Sequence, residues 1–123
     1  VKGAQPGGFD PSGAVPRGEF HLLFPGTPIN VLPGHPNISI GPIVPLAPER
    51  TRRWLDYFFA PETPADWIDE MLAFDTQVGV EDTSLVESVQ AGVRSGAVES
   101  GVLVRSETLI AHFQRFVADA LAS

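Results

Sequence analysis

All twelve prolines of this chain lie between Pro6 and Pro64, and none follows. Proline fixes φ and donates no backbone hydrogen bond, so long helices are excluded from the first half and permitted in the second. The chain is therefore expected to change class midway, with short extended segments first and helices after. Residues 1–18 hold five glycines and three prolines and few large apolar groups. That composition predicts a flexible linker or arm over 1–18, ahead of one folded portion over 19–123.

From Glu19 to Ala60, short apolar runs are cut by Pro and Gly. EFHLLF (19–24) places Phe20, Leu22 and Phe24 on one face of a strand. PINVL (28–32), ISIGPIVPL (38–46) and TRRWLDYFF (51–59) follow. The short polar link APER predicts a hairpin between the last two. Pro42 and Pro45 point to an edge strand or a bulge, because neither can donate to a ladder. Three or four antiparallel strands are expected.

Thr63-Pro64-Ala65-Asp66 then reads as a helix start, with Thr63 as N-cap, Pro64 at the first turn and an acid beside it. Trp67, Ile68, Met71 and Phe74 form the apolar side of this helix, which is expected to stop near Gly79. A second helix is expected over 82–95, ending near Gly96. A third should follow Ser106, with Leu109, Ile110, Phe113, Phe116, Val117, Ala120 and Leu121 as its stripe. The fold class is α+β.

Net charge is −7 with no basic patch, which argues against nucleic-acid binding and against attraction to anionic membranes. No apolar run reaches the ~20 residues of a membrane span, and no signal-peptide pattern opens the chain. The expected location is cytoplasmic. Cysteine is absent, which removes disulfides, thiolate metal sites and cysteine nucleophiles from these residues. The one methionine is Met71, so the chain reads as a piece of something longer. Neither a Walker phosphate loop nor a Gly-x-Ser-x-Gly elbow is present.

The most informative position is Asp82. On a helical wheel it falls in the middle of the stripe made by Val86, Val89 and Val93. Two readings are open. If the helix starts at Ser84, then Ser84 and Glu87 form a capping box, and Asp82 merely precedes the helix. If the helix starts earlier, Asp82 points where the core should be, and a buried carboxylate needs a cation. Arg94 lies off that face, so a bound metal would answer the need.

The stretch GVEDTSLVESVQAGVRSGAVESGVLVRSETLIAHFQRFV resembles the C-terminal end of the catalytic α subunit of Rieske-type non-haem iron, ring-hydroxylating oxygenases. The Glu81-Asp82 pair, Glu87, Gln90, Gly92, Ser95, Gly101, Glu107 and the His112-Phe113 pair carry the likeness. HLLFPGTPINVLPGH and DYFFAP resemble the same family's sheet, and the likeness runs from about Glu19 to Leu121. It implies a helix-grip-like partial domain, an antiparallel sheet curved around a long C-terminal helix. It also implies that Asp82 is the carboxylate of a 2-His-1-carboxylate triad on mononuclear Fe(II), with Gln90 as a supporting hydrogen-bond group.

The implied reaction inserts oxygen from O2 into an organic, aromatic-type substrate. Electrons would come from NAD(P)H through a reductase, with or without a ferredoxin, and a [2Fe-2S] Rieske cluster. A homo-oligomer, trimeric in the family, is the implied assembly. The departures matter as well. His21, His35 and His112 form no closely spaced ligand pair, and no cysteine exists to hold a Rieske cluster. These residues alone are expected to be inactive. The alternative expectation is a helix-grip module that binds a small ligand without catalysis.

Several other residues carry weaker expectations. His112 flanks the last apolar stripe, His21 alternates with Phe20 and Leu22 on a strand, and His35 sits in a loop. Glu81 reads as solvated, and Glu87 as a neighbour of Arg94 or a capping residue. Asp56 is a strand acid facing outward or paired with an arginine. Trp54, Tyr57, Phe58 and Phe59 read as core or cavity lining.

Overall fold

The computed structural model describes residues 12–97 and 100–123. Six strands precede two helices: β1 (Glu19–Leu23), β2 (Thr27–Val31), β3 (Asn37–Ile40), β4 (Ile43–Ala47), β5 (Arg50–Arg53), β6 (Asp56–Phe59), α1 (Ala65–Arg94) and α2 (Thr108–Ala122). The change of class falls where the prolines stop. The α+β composition expected from the sequence is the one the chain adopts. Its long helix is α1, with 30 residues, and the last helix has 15. The chain divides into two compact units, residues 1–86 and 87–123. Within the predicted arm, residues 1–11 lie outside the described residues, and Val15 exchanges two backbone hydrogen bonds with Gly34 at 3.0 and 2.9 Å.

In the first unit, β1, β2, β3 and β6 form a four-stranded antiparallel sheet in that order, and β4 pairs with β5. Asn37 closes the β2–β3 connection: its side-chain oxygen accepts from the Leu32 N–H at 3.0 Å, and its amide donates to the Leu32 and His35 carbonyls at 2.7 Å each. An Asn bonding its neighbours' backbone in this way substitutes for missing ladder partners at a turn. Ser39, buried in β3, faces Asn30 in the register and accepts from its side-chain amide at 3.4 Å.

The two long strands expected at 38–46 and 51–59 are each split in two. Ile40 faces Asp56 and Ile43 faces Arg53, so the register is the same on both sides of the interruption. The residues that leave the ladder are Gly41 and Pro42 on one strand and Trp54 and Leu55 on the other. Pro42 has no N–H to offer Trp54, which makes this the natural place for a gap. Gly41 and Ile43 turn instead to the β1–β2 hairpin, donating to the Pro28 carbonyl at 3.3 Å and the Gly26 carbonyl at 2.6 Å. The hairpin predicted at APER is the β4–β5 turn, and the expected irregularity appears as a register shift between Pro45 and Ala47.

Helix α1 begins where the Thr63-Pro64-Ala65-Asp66 signal placed it, but Thr63 does not cap it. The Thr63 hydroxyl is buried without a hydrogen-bond partner, and Asp66 accepts from the Trp67 N–H at 2.9 Å. Trp67 and Met71 are the buried apolar residues of the helix. The Trp67 ring meets His35 and Phe59 edge-on, with centroids 5.2 and 6.4 Å apart. Such edge contacts add about 0.5–1.5 kcal/mol each beyond area burial. They fix the first turns of α1 against the β2–β3 connection and the end of β6.

The helix does not stop at Gly79. It runs unbroken to Arg94 and ends at Gly96, whose φ of 70° is the left-handed turn expected of a helix C-terminus. The two helices expected over this region are one. A mid-helix glycine costs about 1 kcal/mol relative to alanine, and neighbouring turns evidently outweigh that. In the second unit, Glu107 precedes α2 and its carboxylate accepts from the Val104 N–H at 2.7 Å. Among the described residues, no helix is long and apolar enough to cross a membrane.

Candidate functional site

Because α1 starts at Ala65, Asp82 is an interior helix residue. The capping-box reading of Ser84 and Glu87 fails for the same reason: the N–H groups there are already used by the helix ladder. Asp82 shares its face with Val86, Val89 and Val93, as the wheel requires. Among the described residues, no core covers that face, contrary to the expectation that it points inward. Residues 80–97 are all exposed, and Val86, Val89 and Val93 are 65, 58 and 60% accessible. Asp82 therefore stands in the open among uncovered valines. Gln90 is exposed on the same helix.

One face of α1 changes partner along its length. Steps of 100° put Met71, Asp75, Gly79 and Asp82 within about 80° of arc. Met71 is buried. One turn on, Asp75 accepts a hydrogen bond from the Tyr57 hydroxyl of β6. One turn further, the Arg53 guanidinium lies against Gly79: a Cβ there would stand 3.0 Å from Arg53 Nη2. Burial, then the Asp75 hydrogen bond and charge, push the Tyr57 phenol well above the ordinary tyrosine range, with Arg53 pulling the other way. Tyr57 is thus held as a neutral donor. Sequence reasoning placed Tyr57 in core or cavity lining and did not single out Asp75 or Arg53. The signal that could have found Asp75 is its place within about 20° of Asp82 on the wheel, an acid beside the apolar arc that begins at Met71.

The histidines belong to β1, the β2–β3 connection and α2. His21 sits 3.5 Å from Glu19 on β1, with both side chains exposed. His35 packs its edge on Trp67. His112 is exposed on α2. Glu81 is exposed and accepts from the Gln77 amide at 2.8 Å, Glu87 is exposed, and Asp56 is exposed on β6. Trp54 is 43% accessible with the Arg52 guanidinium 5.4 Å from its ring centroid, and Phe58 is exposed. Of that aromatic group, Phe59 meets Trp67 and Tyr57 donates to Asp75, both on α1.

Among the described residues, no three His, Cys, Asp or Glu side chains gather into a group that could hold a metal ion. A carboxylate such as Asp82 suits one place in a mixed oxygen–nitrogen site for ferrous iron. Among the described residues the donor set fits that one place and does not complete a site.

The family model described as "Ring hydroxylating alpha subunit (catalytic domain)" matches residues 10–123. No curated protein and no solved structure matches the chain.

Proposed function

The chain belongs to the family of ring-hydroxylating α-subunit catalytic domains, and from that membership we propose that it forms part of a terminal oxygenase and supplies one ligand to its iron. The ligand is Asp82. The observation that carries this reading is the continuity of α1 through Gly79, which frees Asp82 from any capping duty and sets it on an open helix face. The remaining ligands, two imidazoles in a facial triad, would come from residues outside these 123. When bound, ferrous iron in such a site supplies adjacent open positions for O2 and substrate.

What this chain's own residues do is narrower. Asp82 holds one coordination position and brings negative charge to it. Val86 and Val89, on the same face, exclude water from beside the carboxylate once that face is covered. Gln90 borders the stripe two turns along, about 12 Å further on the axis, so any supporting bond it makes is to another group of the covered site and not to Asp82. The substrate class is organic and aromatic in type. Electrons arrive from NAD(P)H through a reductase, with or without a ferredoxin, and a [2Fe-2S] Rieske cluster outside this chain. The assembly is a homo-oligomer working in the cytoplasm.

The test is Asp82→Ala in the protein that carries this chain. Mononuclear iron content should fall to background and turnover should vanish, with the far-ultraviolet circular dichroism unchanged. Iron retained at the wild-type level rejects the assignment. Metal-independent binding of a small organic ligand by the same variant would instead favour a carrier without catalysis.

A further inference from the structure

We infer that Tyr57 and Asp75 act as positioning residues that set the rotation of α1 about its own axis, and with it the direction in which Asp82 points. The inference rests on the assignment of Asp82 as an iron ligand. It concerns residues that never touch the metal.

The helical repeat makes the case. Asp75 and Asp82 are seven residues apart, which brings them within about 20° of each other on the wheel and about 10 Å apart along the axis. Whatever fixes the azimuth of Asp75 therefore fixes that of Asp82. Packing at Met71 and the edge-on contacts of Trp67 hold the first turns of α1 to the strands, and the next turns need a hold of their own. The Tyr57–Asp75 hydrogen bond is directional. It ties α1 to β6 at residue 75, ahead of the stretch from residue 80 on where the helix is exposed.

Two further features support the role. Tyr57 lies on β6, an edge strand paired with β3 along its whole length, from Asn37↔Phe59 to Ile40↔Asp56. The donor thus stands on a fixed backbone. Arg53, beyond the ladder interruption, meets the helix at Gly79, where the missing side chain admits its guanidinium. That contact flanks the Tyr57–Asp75 bond one turn on, but an exposed guanidinium can move, so the hold on the helix is the hydrogen bond. A carboxylate that must meet a metal within a few tenths of an ångström needs this kind of supporting frame.

The experiment compares Tyr57→Phe, Asp75→Ala, Asp75→Asn and Asp82→Ala in the protein that carries this chain. Each is measured for Fe(II) affinity and for thermal midpoint. Amide hydrogen exchange over residues 76–86 is followed in the metal-free protein. Tyr57→Phe and Asp75→Ala should each weaken iron about tenfold, the lower end of what orienting partners contribute. The double variant Tyr57→Phe/Asp75→Ala should be no weaker than either, because both remove one interaction. Asp75→Asn keeps an acceptor for the phenol and should stay within roughly threefold of wild type. Exchange over 76–86 should quicken in the first two and not in Asp75→Asn.

Iron lost in Asp82→Ala but bound normally by Tyr57→Phe and Asp75→Ala overturns the positioning role and leaves the ligand assignment standing. Equal weakening by Asp75→Asn and Asp75→Ala also overturns it, since charge and not the hydrogen bond would then be at work. Iron retained in Asp82→Ala removes the ligand assignment and this inference together. If Tyr57→Phe fails to fold, the contrast between Asp75→Asn and Asp75→Ala decides the matter.

Discussion

The Cβ that Gly41 lacks would lie 1.8 Å from the Trp54 carbonyl oxygen. The two strands that carry these residues keep the same register above and below this point, so the backbones converge just where the ladder is interrupted. Only glycine allows the approach, and the neighbour is backbone, which cannot swing aside.

Gly41→Ala should therefore cost at least about 3 kcal/mol, the upper end of what overpacking incurs. Urea unfolding of the two proteins side by side measures the loss. A variant as stable as the wild type would show that the strands can separate here at no cost.

Gly79→Ala should behave in the opposite way. The group that a methyl would meet is the end of an exposed, flexible Arg53 side chain, 3.0 Å away. The guanidinium can step aside, and the helix gains up to about 1 kcal/mol of propensity. Gly92→Ala is the control, because a Cβ there meets nothing within 4 Å and should gain a similar amount. Thermal midpoints of both variants test the pair. A destabilised Gly79→Ala beside a stabilised Gly92→Ala would mean that Arg53 is held in place.

Trp67→Ala should cost about 3–5 kcal/mol, as for other large aromatic truncations in a core. Trp67 is 8% accessible and holds both His35 and Phe59 edge-on. The Trp67→Phe variant should recover part of the loss by keeping an aromatic edge. Chemical denaturation of the three proteins gives the order.

Alkaline pH should weaken the first unit through Tyr57. Its phenol is raised above the ordinary value, first by burial and then by Asp75. The folded state thus binds this proton more tightly than the unfolded chain does. The stabilisation is complete below about pH 10, where the unfolded phenol is still protonated, and is lost as pH climbs toward the folded value. Tyr57→Phe should flatten the fall in urea midpoint above pH 10. An identical slope in both proteins would assign the alkaline loss to other groups.

The sequence made the class change legible because prolines mark it without help from tertiary structure. The APER turn, the Pro45–Ala47 irregularity and the end of α1 at Gly96 were legible for the same reason: each depends on local backbone chemistry. Gly79 was misleading because glycine near a polar pair reads as a stop, whereas the turns on either side carry the helix through. The split of the two long strands at Gly41–Pro42 was half legible, since proline announced a gap but not its partner. Asp82 could be placed on its wheel from spacing alone. The Tyr57–Asp75 bond could not, because it joins residues 18 apart across two elements.

Strand β1 pairs with β2 and β2 with β3, each with the next one made, and β3 meets β6 once the β4–β5 turn has brought the chain back. Among the described residues each pairing joins segments close in sequence, the longest span being the β4–β5 hairpin between β3 and β6, so little chain entropy is lost before contacts form. This half of the chain can zip up turn by turn during synthesis. The order of assembly is written in the order of translation.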